Sequence, residues 1–453
     1  MKGLIFTWLL TFLGVTGSVF NPYYGFLAYV ALALVKPDAM WRHAIHNGRF
    51  SLIVALAMLA SWMFRGCGNW NLGKARPIVF SFVGFWMWTV LLAYIAESPP
   101  HAWTFVESMA KILLPFLVGI TTCRSIRDLK ALAWVIVVCE GYVCFEMNLR
   151  YFGGYNYLYF VGFAGMDNNS VAIGFVTAIG VAFFLFLNTE SMVQKAIIGA
   201  CMAFMLHAIL FSFSRGAMLA TVIGVTISFF LIKKNLMHYS LFGLLLVAGI
   251  MLAGPQVRER FAATFASDNG KREASAQSRL DLWKDCWTLF KRDPILGCGP
   301  DHWPLHAEEF GWPKNKEAHS LWVQMATETG IPGIVMYLGF YALCILRCCG
   351  LLMKIPARAP PWFGDSCRMT IAALIGFGVA AQFVSLELLE VPYYVALLGA
   401  ASLMIYGRHL EEGLIDFSDD DDEPTADWRD RMETTAVYND SDMLIREPVQ
   451  IFN

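Results

Sequence analysis

Charged residues are scarce in this sequence. Only 15% of its 453 residues are Asp, Glu, Lys or Arg, whereas 57% are hydrophobic. Soluble domains carry about 25% charged residues, so this chain has too few to cover a water-exposed surface. The formal net charge is −2 and no basic patch is interleaved with aromatic residues, which argues against a nucleic-acid binder.

The apolar residues come in long runs, such as VFSFVGFWMWTVLLAYIA and VAIGFVTAIGVAFFLFL. Runs of this length span roughly 30 Å of hydrocarbon, so the sequence predicts an all-α polytopic integral membrane protein. We expect membrane spans near 3–20, 22–36, 50–64, 77–96, 103–121, 129–147, 170–188, 193–212, 216–232, 240–253, 320–345, 369–388 and 391–407. The count is thirteen, or twelve if the first two runs form one broken or re-entrant element at Asn21-Pro22.

The first run follows Lys2 and resembles a signal peptide. Because further apolar runs follow at once, we expect an uncleaved first helix instead. The hydrophilic stretches then predict four parts. These are N-terminal transmembrane helices (1–253), a loop with an amphipathic helix (254–319), C-terminal transmembrane helices (320–407) and an acidic tail (408–453) too polar to bury a core.

Basic residues in short loops mark the cytoplasmic side of a membrane. They form the groups Arg65, Lys74 and Arg76; Arg124, Arg127 and Lys130; Lys233 and Lys234; and Arg347, Lys354, Arg358 and Arg368. Placing these groups inside, together with the tail, puts 148–169, 212–215 and 254–319 outside. Arg42 and Arg49 then fall on the outer side, against the rule. Cys286 and Cys298 share the large outer loop, where a disulfide between them is an option.

His319 stands at the start of an apolar run, in KEAHSLWVQMATETGIPG. Near a helix N-terminus the backbone dipole favours a neutral over a charged imidazole. A neutral imidazole accepts a proton, as a general base does. The alternative is an interfacial histidine that only caps the helix.

Two arginines are predicted on the same outer side. Arg215 stands in FSFSRGAMLATV, between two apolar runs, where a charged residue either serves a function or snorkels to lipid headgroups. Arg279 is expected at the start of an amphipathic helix in AQSRLDLWKDCWTLFKRDPILGCGP. A cation there opposes the helix dipole, so a bound anion explains Arg279 better than dipole compensation does; a solvated arginine is the alternative. Trp283, on the same helix, contacts substrate or lies at headgroup level.

Four further residues are candidates for substrate binding. Glu328 either contacts a substrate or makes a hydrogen bond to a neighbouring helix. Asp167, Asn168 and Asn169 follow a loop rich in Gly, Tyr and Asn. Such residues suit sugars, through stacking and amide hydrogen bonds, and equally suit an ordinary outer loop.

The order of short motifs is more specific than any single residue. SRGA at an outer turn is followed by SR-x3-W, P-x2-G-x-G and AHS-x7-ETG-x2-G. Over roughly 170–345 this order resembles the O-antigen ligase superfamily, which also holds O-antigen polymerases and bacterial O-linked oligosaccharyltransferases. FNPYYGFLAYVALALVKPD and DNNSVA are similar to a branch called exosortase-associated putative O-glycosylation ligases.

The resemblance implies a glycosyltransferase with a GT-C-like ligase architecture. The family's two arginines and one histidine carry over to Arg215, Arg279 and His319 as catalytic residues. The implied donor is a glycan on a polyprenyl diphosphate, and the implied acceptor is a hydroxyl on a lipid or protein. No metal and no cofactor are implied. The implied location is the bacterial inner membrane, with the active site on the periplasmic side.

Three other functions compete with a ligase. A polysaccharide polymerase uses the same donor with a different acceptor, so shared motifs do not separate the two enzymes. A transporter tends to place ionisable residues near the bilayer midplane, whereas here they cluster at one face beside a large loop. A membrane scaffold with an acidic docking tail explains none of the motifs.

Overall fold

The computed structural model describes residues 2–45, 48–232, 239–240, 243, 274–356 and 358–415. Over these residues the chain is helical and contains no β-strand, only an isolated bridge between Phe163 and Met166. Nearly all of the predicted span 240–253, the loop residues 254–273 and the tail from 416 lie outside the described residues.

Sixteen α-helices are seen in the described residues. They are α1 (Lys2–Phe20), α2 (Pro22–Val35), α3 (Pro37–Met40), α4 (Phe50–Phe64), α5 (Arg76–Ile95), α6 (Pro99–Thr122), α7 (Ile126–Phe152), α8 (Tyr157–Phe160), α9 (Asn168–Asn188), α10 (Met192–Phe211), α11 (Arg215–Leu231), α12 (Ala274–Phe290), α13 (Trp303–His306), α14 (Leu321–Leu352), α15 (Pro361–Ala380) and α16 (Val391–Glu411).

Eight of the described helices are long and apolar enough to cross a membrane: α1, α5, α6, α7, α9, α10, α14 and α15. The helical, multi-pass fold class is therefore confirmed. Eight is fewer than the predicted twelve or thirteen spans. Part of the reason is length, because the apolar helices α4 and α11 have 15 and 17 residues and α2 has 14.

The first two helices are separate and pack against each other. Asn21 lies between them with an extended backbone, and its side chain accepts a hydrogen bond from the N–H of Tyr23 at 3.0 Å. This side chain satisfies one of the N–H groups that a helix start leaves unpaired. The chain thus breaks at Asn21, and of the two helices only α1 is among those long and apolar enough to cross a membrane.

The prediction of a span at 369–388 was wrong in its bounds. The helix α15 starts eight residues earlier, at Pro361, and ends at Ala380. Arg368 was assigned to a basic loop from the sequence, but its guanidinium and the Asp365 carboxylate are buried in the helix as a pair 2.6 Å apart. Residues 381–390 form a loop instead, and this loop reaches the candidate site.

The helix α14 is broken rather than continuous. At Gly330 the backbone has φ 65° and ψ −171°, a combination that essentially only glycine adopts. A side chain at this position would overlap the carbonyl oxygen of Ile295. The two halves of α14 therefore meet at a point where the loop before it packs directly on the helix backbone; we call this the outer loop after its predicted side of the membrane.

Hydrogen bonds between α14 and the outer loop satisfy the backbone groups that the break exposes. The N–H groups of Cys298 and Gly299 each donate at 3.0 Å, to the carbonyls of Thr327 and Glu328 respectively. The N–H of Ile331 donates to the carbonyl of Pro294 at 2.8 Å. These bonds explain the P-x2-G-x-G and ETG-x2-G motifs as two halves of one contact, which we call the Gly330 interlock.

The large outer loop has its own small core. Buried Leu282 and Cys286 of α12 pack with Trp303, Ala307 and Ala318. Cys286 and Cys298 are both free thiols in this core, so the disulfide considered from the sequence is not formed. Apolar packing and the Gly330 interlock hold the loop instead.

The basic loops share one end of the molecule. The Lys74 ammonium lies 5.4 Å from the ring centroid of Tyr406, and the Lys130 ammonium lies 5.3 Å from that of Trp362. Arg408 also donates to the carbonyl of Asn71 at 3.2 Å. The outer loop packs at the opposite end.

We expect Gly330→Ala to destabilise the fold. The added Cβ meets backbone, and a residue forced into such a conformation costs about 1–3 kcal/mol before any clash. Gly350→Ala is the matched control, because it lies in the same helix and a Cβ there meets nothing within 4 Å. A thermal unfolding scan in detergent should show a lower midpoint for Gly330→Ala only. Equal midpoints for the two variants would mean that the interlock does not support the fold.

Candidate active site

A polar cavity of about 180 Å³ opens at the end of the molecule that carries the outer loop. Its lining comes from four separate parts of the chain: Asn168, Asn169, Phe213, Ser214, Arg215, Gly216, Arg279 and Phe383. Arg215 and Arg279 are therefore brought together, although 64 residues separate them in sequence. We call this the arginine cavity.

The turn before α11 presents Arg215 to the cavity. Phe213 has a left-handed backbone with φ 57°, and Ser214 accepts a hydrogen bond from the N–H of Ala217 to begin the helix. Arg215 is the first helical residue, where the helix dipole also favours an anion. The side-chain amide of Asn168 donates to the carbonyl of Ser212 at 2.6 Å and holds the turn in place.

Gly216 is required by the cavity wall. A Cβ at this position would lie 2.8 Å from the ring of Phe383. The Arg279 guanidinium carbon lies 5.9 Å from the centroid of the same ring. Phe383 thus contacts both of the helices that carry the two arginines.

Arg279 lies in the second turn of α12 rather than at its start, because the described helix begins at Ala274. The neighbouring Trp283 does not line the cavity. Its indole N–H donates to the carbonyl of Ala318 at 3.0 Å. Trp283 therefore positions the residue next to His319, and the structure places it outside the group of residues that face the cavity.

His319 stands beside the arginine cavity with a strained backbone, φ 52°. The next helix begins at once, and the N–H of Leu321 is shared between the carbonyls of Ala381 and Val384, each at 2.9 Å. The loop 381–390 thus holds both Phe383 and the start of α14. The position of His319 relative to the arginines depends on this loop.

Burial and the nearby charges favour a neutral imidazole at His319. Burial is the largest cause, and together with the cations Lys316 and Arg279 it lowers the pKa of His319 to about 4, against an opposing effect of Asp167. The Asp167 carboxylate is stabilised in its charged form. Burial acts to raise its pKa, but hydrogen bonds from Ser170 and Asn169 keep that pKa below its usual value. Asp167 accepts from the Ser170 N–H at 2.8 Å and so begins α9.

Glu328 is placed away from the arginine cavity. It is fully buried, and its two carboxylate oxygens accept from the N–H groups of Asp301 at 3.0 Å and Trp303 at 3.2 Å. It therefore belongs to the Gly330 interlock. Of the alternatives considered from the sequence, the structure favours a packing hydrogen bond over substrate contact.

Two residues of the site were missed in the sequence. Phe383 fell inside the misplaced span 369–388, so its position in a loop was hidden. Lys316 was not singled out from the sequence, although it lies three residues before His319. The same loop also holds Glu387, to which the sequence assigned no role; it is buried, and burial raises its pKa to about 7.

We expect Lys316→Gln to raise the pKa of His319, because removing a neighbouring positive charge stabilises the protonated imidazole. Diethyl pyrocarbonate modifies neutral imidazole, so the rate of His319 modification against pH, read by peptide mass spectrometry, reports this pKa. The wild-type rate should stay high well below the usual histidine pKa of about 6.5. Lys314→Gln is the matched control. An unchanged profile in Lys316→Gln would show that Lys316 does not act on His319.

Comparison with known families covers both halves of the chain. Residues 1–190 match a family of unknown function (DUF5935), which adds no activity. The resemblance to the exosortase-associated branch therefore stays a prediction. No curated protein matches the chain. Residues 200–338 match the family described as O-Antigen ligase, and this segment contains Arg215, Arg279 and His319. The chain therefore carries a segment of the O-antigen ligase family over residues 200–338 and is a multi-pass membrane protein.

Proposed function

We propose that this protein transfers a glycan from a polyprenyl diphosphate to a hydroxyl group of a lipid or protein. The observation that carries the proposal is the arginine cavity, which joins Arg215 and Arg279 and stands beside a neutral His319. A ligase domain over residues 200–338 favours a glycan-transferring enzyme over the transporter considered from the sequence.

The diphosphate of the donor would occupy the arginine cavity. Guanidinium groups form charge-assisted, often bidentate hydrogen bonds with phosphate oxygens. The start of α11 adds backbone dipoles that favour an anion at the same place. As the glycosyl bond breaks, negative charge grows on the diphosphate, and preorganised cations at developing charge are usually the largest catalytic contribution. Because the arginines take this charge, the proposal needs no metal ion.

The acceptor hydroxyl would be oriented by His319. Its oxygen attacks the anomeric carbon, the bond from that carbon to the diphosphate oxygen breaks, and the hydroxyl proton passes to the imidazole. A single displacement of this kind inverts the anomeric configuration. An imidazole with a pKa near 4 is a weak base. A bound diphosphate offsets the charges of Arg279 and Lys316, raises this pKa, and so strengthens the base only when the donor is present.

The acceptor and the location belong to the same proposal. A polymerase would use this donor site with a second lipid-linked glycan as acceptor, so the two enzymes differ outside the arginine cavity. We place the cavity on the periplasmic side of a bacterial inner membrane. Support comes from the basic loops, whose residues Lys74 and Lys130 lie at the opposite end of the molecule, as the positive-inside rule expects of the cytoplasmic end.

The decisive experiment uses purified protein in lipid with a polyprenyl-diphosphate-linked glycan, an acceptor and EDTA. We expect His319→Ala, Arg215→Ala and Arg279→Ala each to slow release of lipid diphosphate by about 10²–10³-fold, the usual effect of losing one preorganised group. Arg279→Lys should not restore the rate, because an ammonium does not reproduce the planar guanidinium.

Arg292→Ala is the matched control for the arginine variants. Arg292 lies in the same outer loop, pairs with Glu309 at 2.9 Å and is exposed. Its loss should leave the rate near that of wild type, since exposed ion pairs contribute little. All variants must match wild type in unfolding midpoint. Wild-type rates in the His319 and Arg279 variants would reject the mechanism and reopen the transporter alternative.

A further inference from the structure

A second cationic cavity, of about 250 Å³, lies at the end of the molecule opposite the arginine cavity. It is lined by Phe20, Asn21, Pro22, Arg65, Gly68, Thr122 and Arg124. None of these lining residues is acidic. The helix α6 connects the two ends, because its 24 residues extend about 36 Å from Pro99 near the outer loop to Thr122 in this cavity.

Hydrogen bonds hold the residues around this cavity in place. Arg65 donates from one guanidinium nitrogen to the carbonyl of Val19 at 2.7 Å, which leaves other donors of the same group for a ligand. Gly68 has φ 73°, and a Cβ there would lie 2.7 Å from the carbonyl oxygen of Thr121. The N–H of Asn69 donates to that same oxygen at 2.8 Å.

Arg124 completes the cationic lining. The nearby carboxylate of Asp128 accepts from the backbone N–H groups of Arg124 at 2.8 Å and Ser125 at 3.0 Å. That carboxylate is thus committed to starting α7, where it forms a capping box with Ser125. The side chain of Arg124 is exposed at the cavity mouth.

Large apolar side chains flank the cavity at the ends of α1 and α4. Phe64 is 91% exposed and Phe20 is 74% exposed, and their neighbours Met63 and Val19 are each 66% exposed. Both phenylalanines are next in sequence to cavity residues. A cationic pocket beside exposed apolar side chains matches an amphiphile with an anionic headgroup and hydrocarbon chains.

We propose that this cavity binds the phosphate of an anionic phospholipid, with its acyl chains along Phe20 and Phe64. Basic pockets between transmembrane helices bind anionic headgroups in this way. Arg65 and Arg124 hold the phosphate by charge-assisted hydrogen bonds. The site is separate from the arginine cavity, and the proposal does not depend on the transfer reaction.

The test measures lipid binding to the full chain in detergent by native mass spectrometry. Phosphatidylglycerol is compared with phosphatidylcholine of the same acyl chains. We expect wild type to retain phosphatidylglycerol preferentially, and Arg65→Gln with Arg124→Gln to weaken that binding at least about tenfold. Arg42→Gln with Arg49→Gln is the matched control, because it removes the same charge from exposed positions elsewhere. It should keep wild-type binding.

Two further arms keep the test decisive. Arg124→Gln alone should weaken binding without affecting the fold, since only Arg65 makes a structural bond to Val19. Inorganic phosphate is added as the headgroup without chains, and we expect it neither to displace the lipid nor to raise the unfolding midpoint. Equal binding by the Arg124 variant, or full protection by inorganic phosphate, would overturn the phospholipid assignment.

Discussion

The Gly330 interlock is the contact on which the rest of the site depends. Inside a membrane protein a backbone N–H or carbonyl must find its partner within the protein, because lipid offers none. The break in α14 is possible here because residues 294–299 supply hydrogen-bond partners for its backbone. In addition, the indole N–H of Trp88 donates a hydrogen bond to the carbonyl of Thr329 at 2.8 Å. These hydrogen bonds therefore fix which residues of the outer loop pair with which residues of α14.

Strain and charge are concentrated where that loop meets the membrane helices. Phe213 and His319 both have positive φ, at about 1–3 kcal/mol each. Hydrogen bonds from Asn168 and Leu321 to neighbouring segments offset this strain. Arg279 links the two parts of the site, because it lines the arginine cavity and also adds to the effect of burial in lowering the pKa of His319. In the proposed function, anion binding and proton acceptance both depend on this arrangement.

Most of the fold follows from local sequence, and its one clear misplacement has a local cause. Apolar runs near 22–36, 50–64 and 170–188 correspond closely to observed helices, since hydrophobic length alone decides them. The start of α15 was missed because Arg368 was assigned to a loop, whereas the structure buries it in the helix as an ion pair with Asp365. Glu328 read as a candidate ligand because its backbone partners are 25 and 27 residues away.

The sequence by itself determined the class of the protein and the order of its motifs, because runs of apolar side chains and glycine-bearing signatures are local properties. It also determined which three side chains were candidates for catalysis. Only the tertiary structure decided that Arg215 and Arg279 face one cavity, that Phe383 contacts both of their helices, and that the loop 381–390 holds the start of α14 next to His319. These facts depend on packing between segments far apart in the chain, and packing is set by shape and burial rather than by any local pattern.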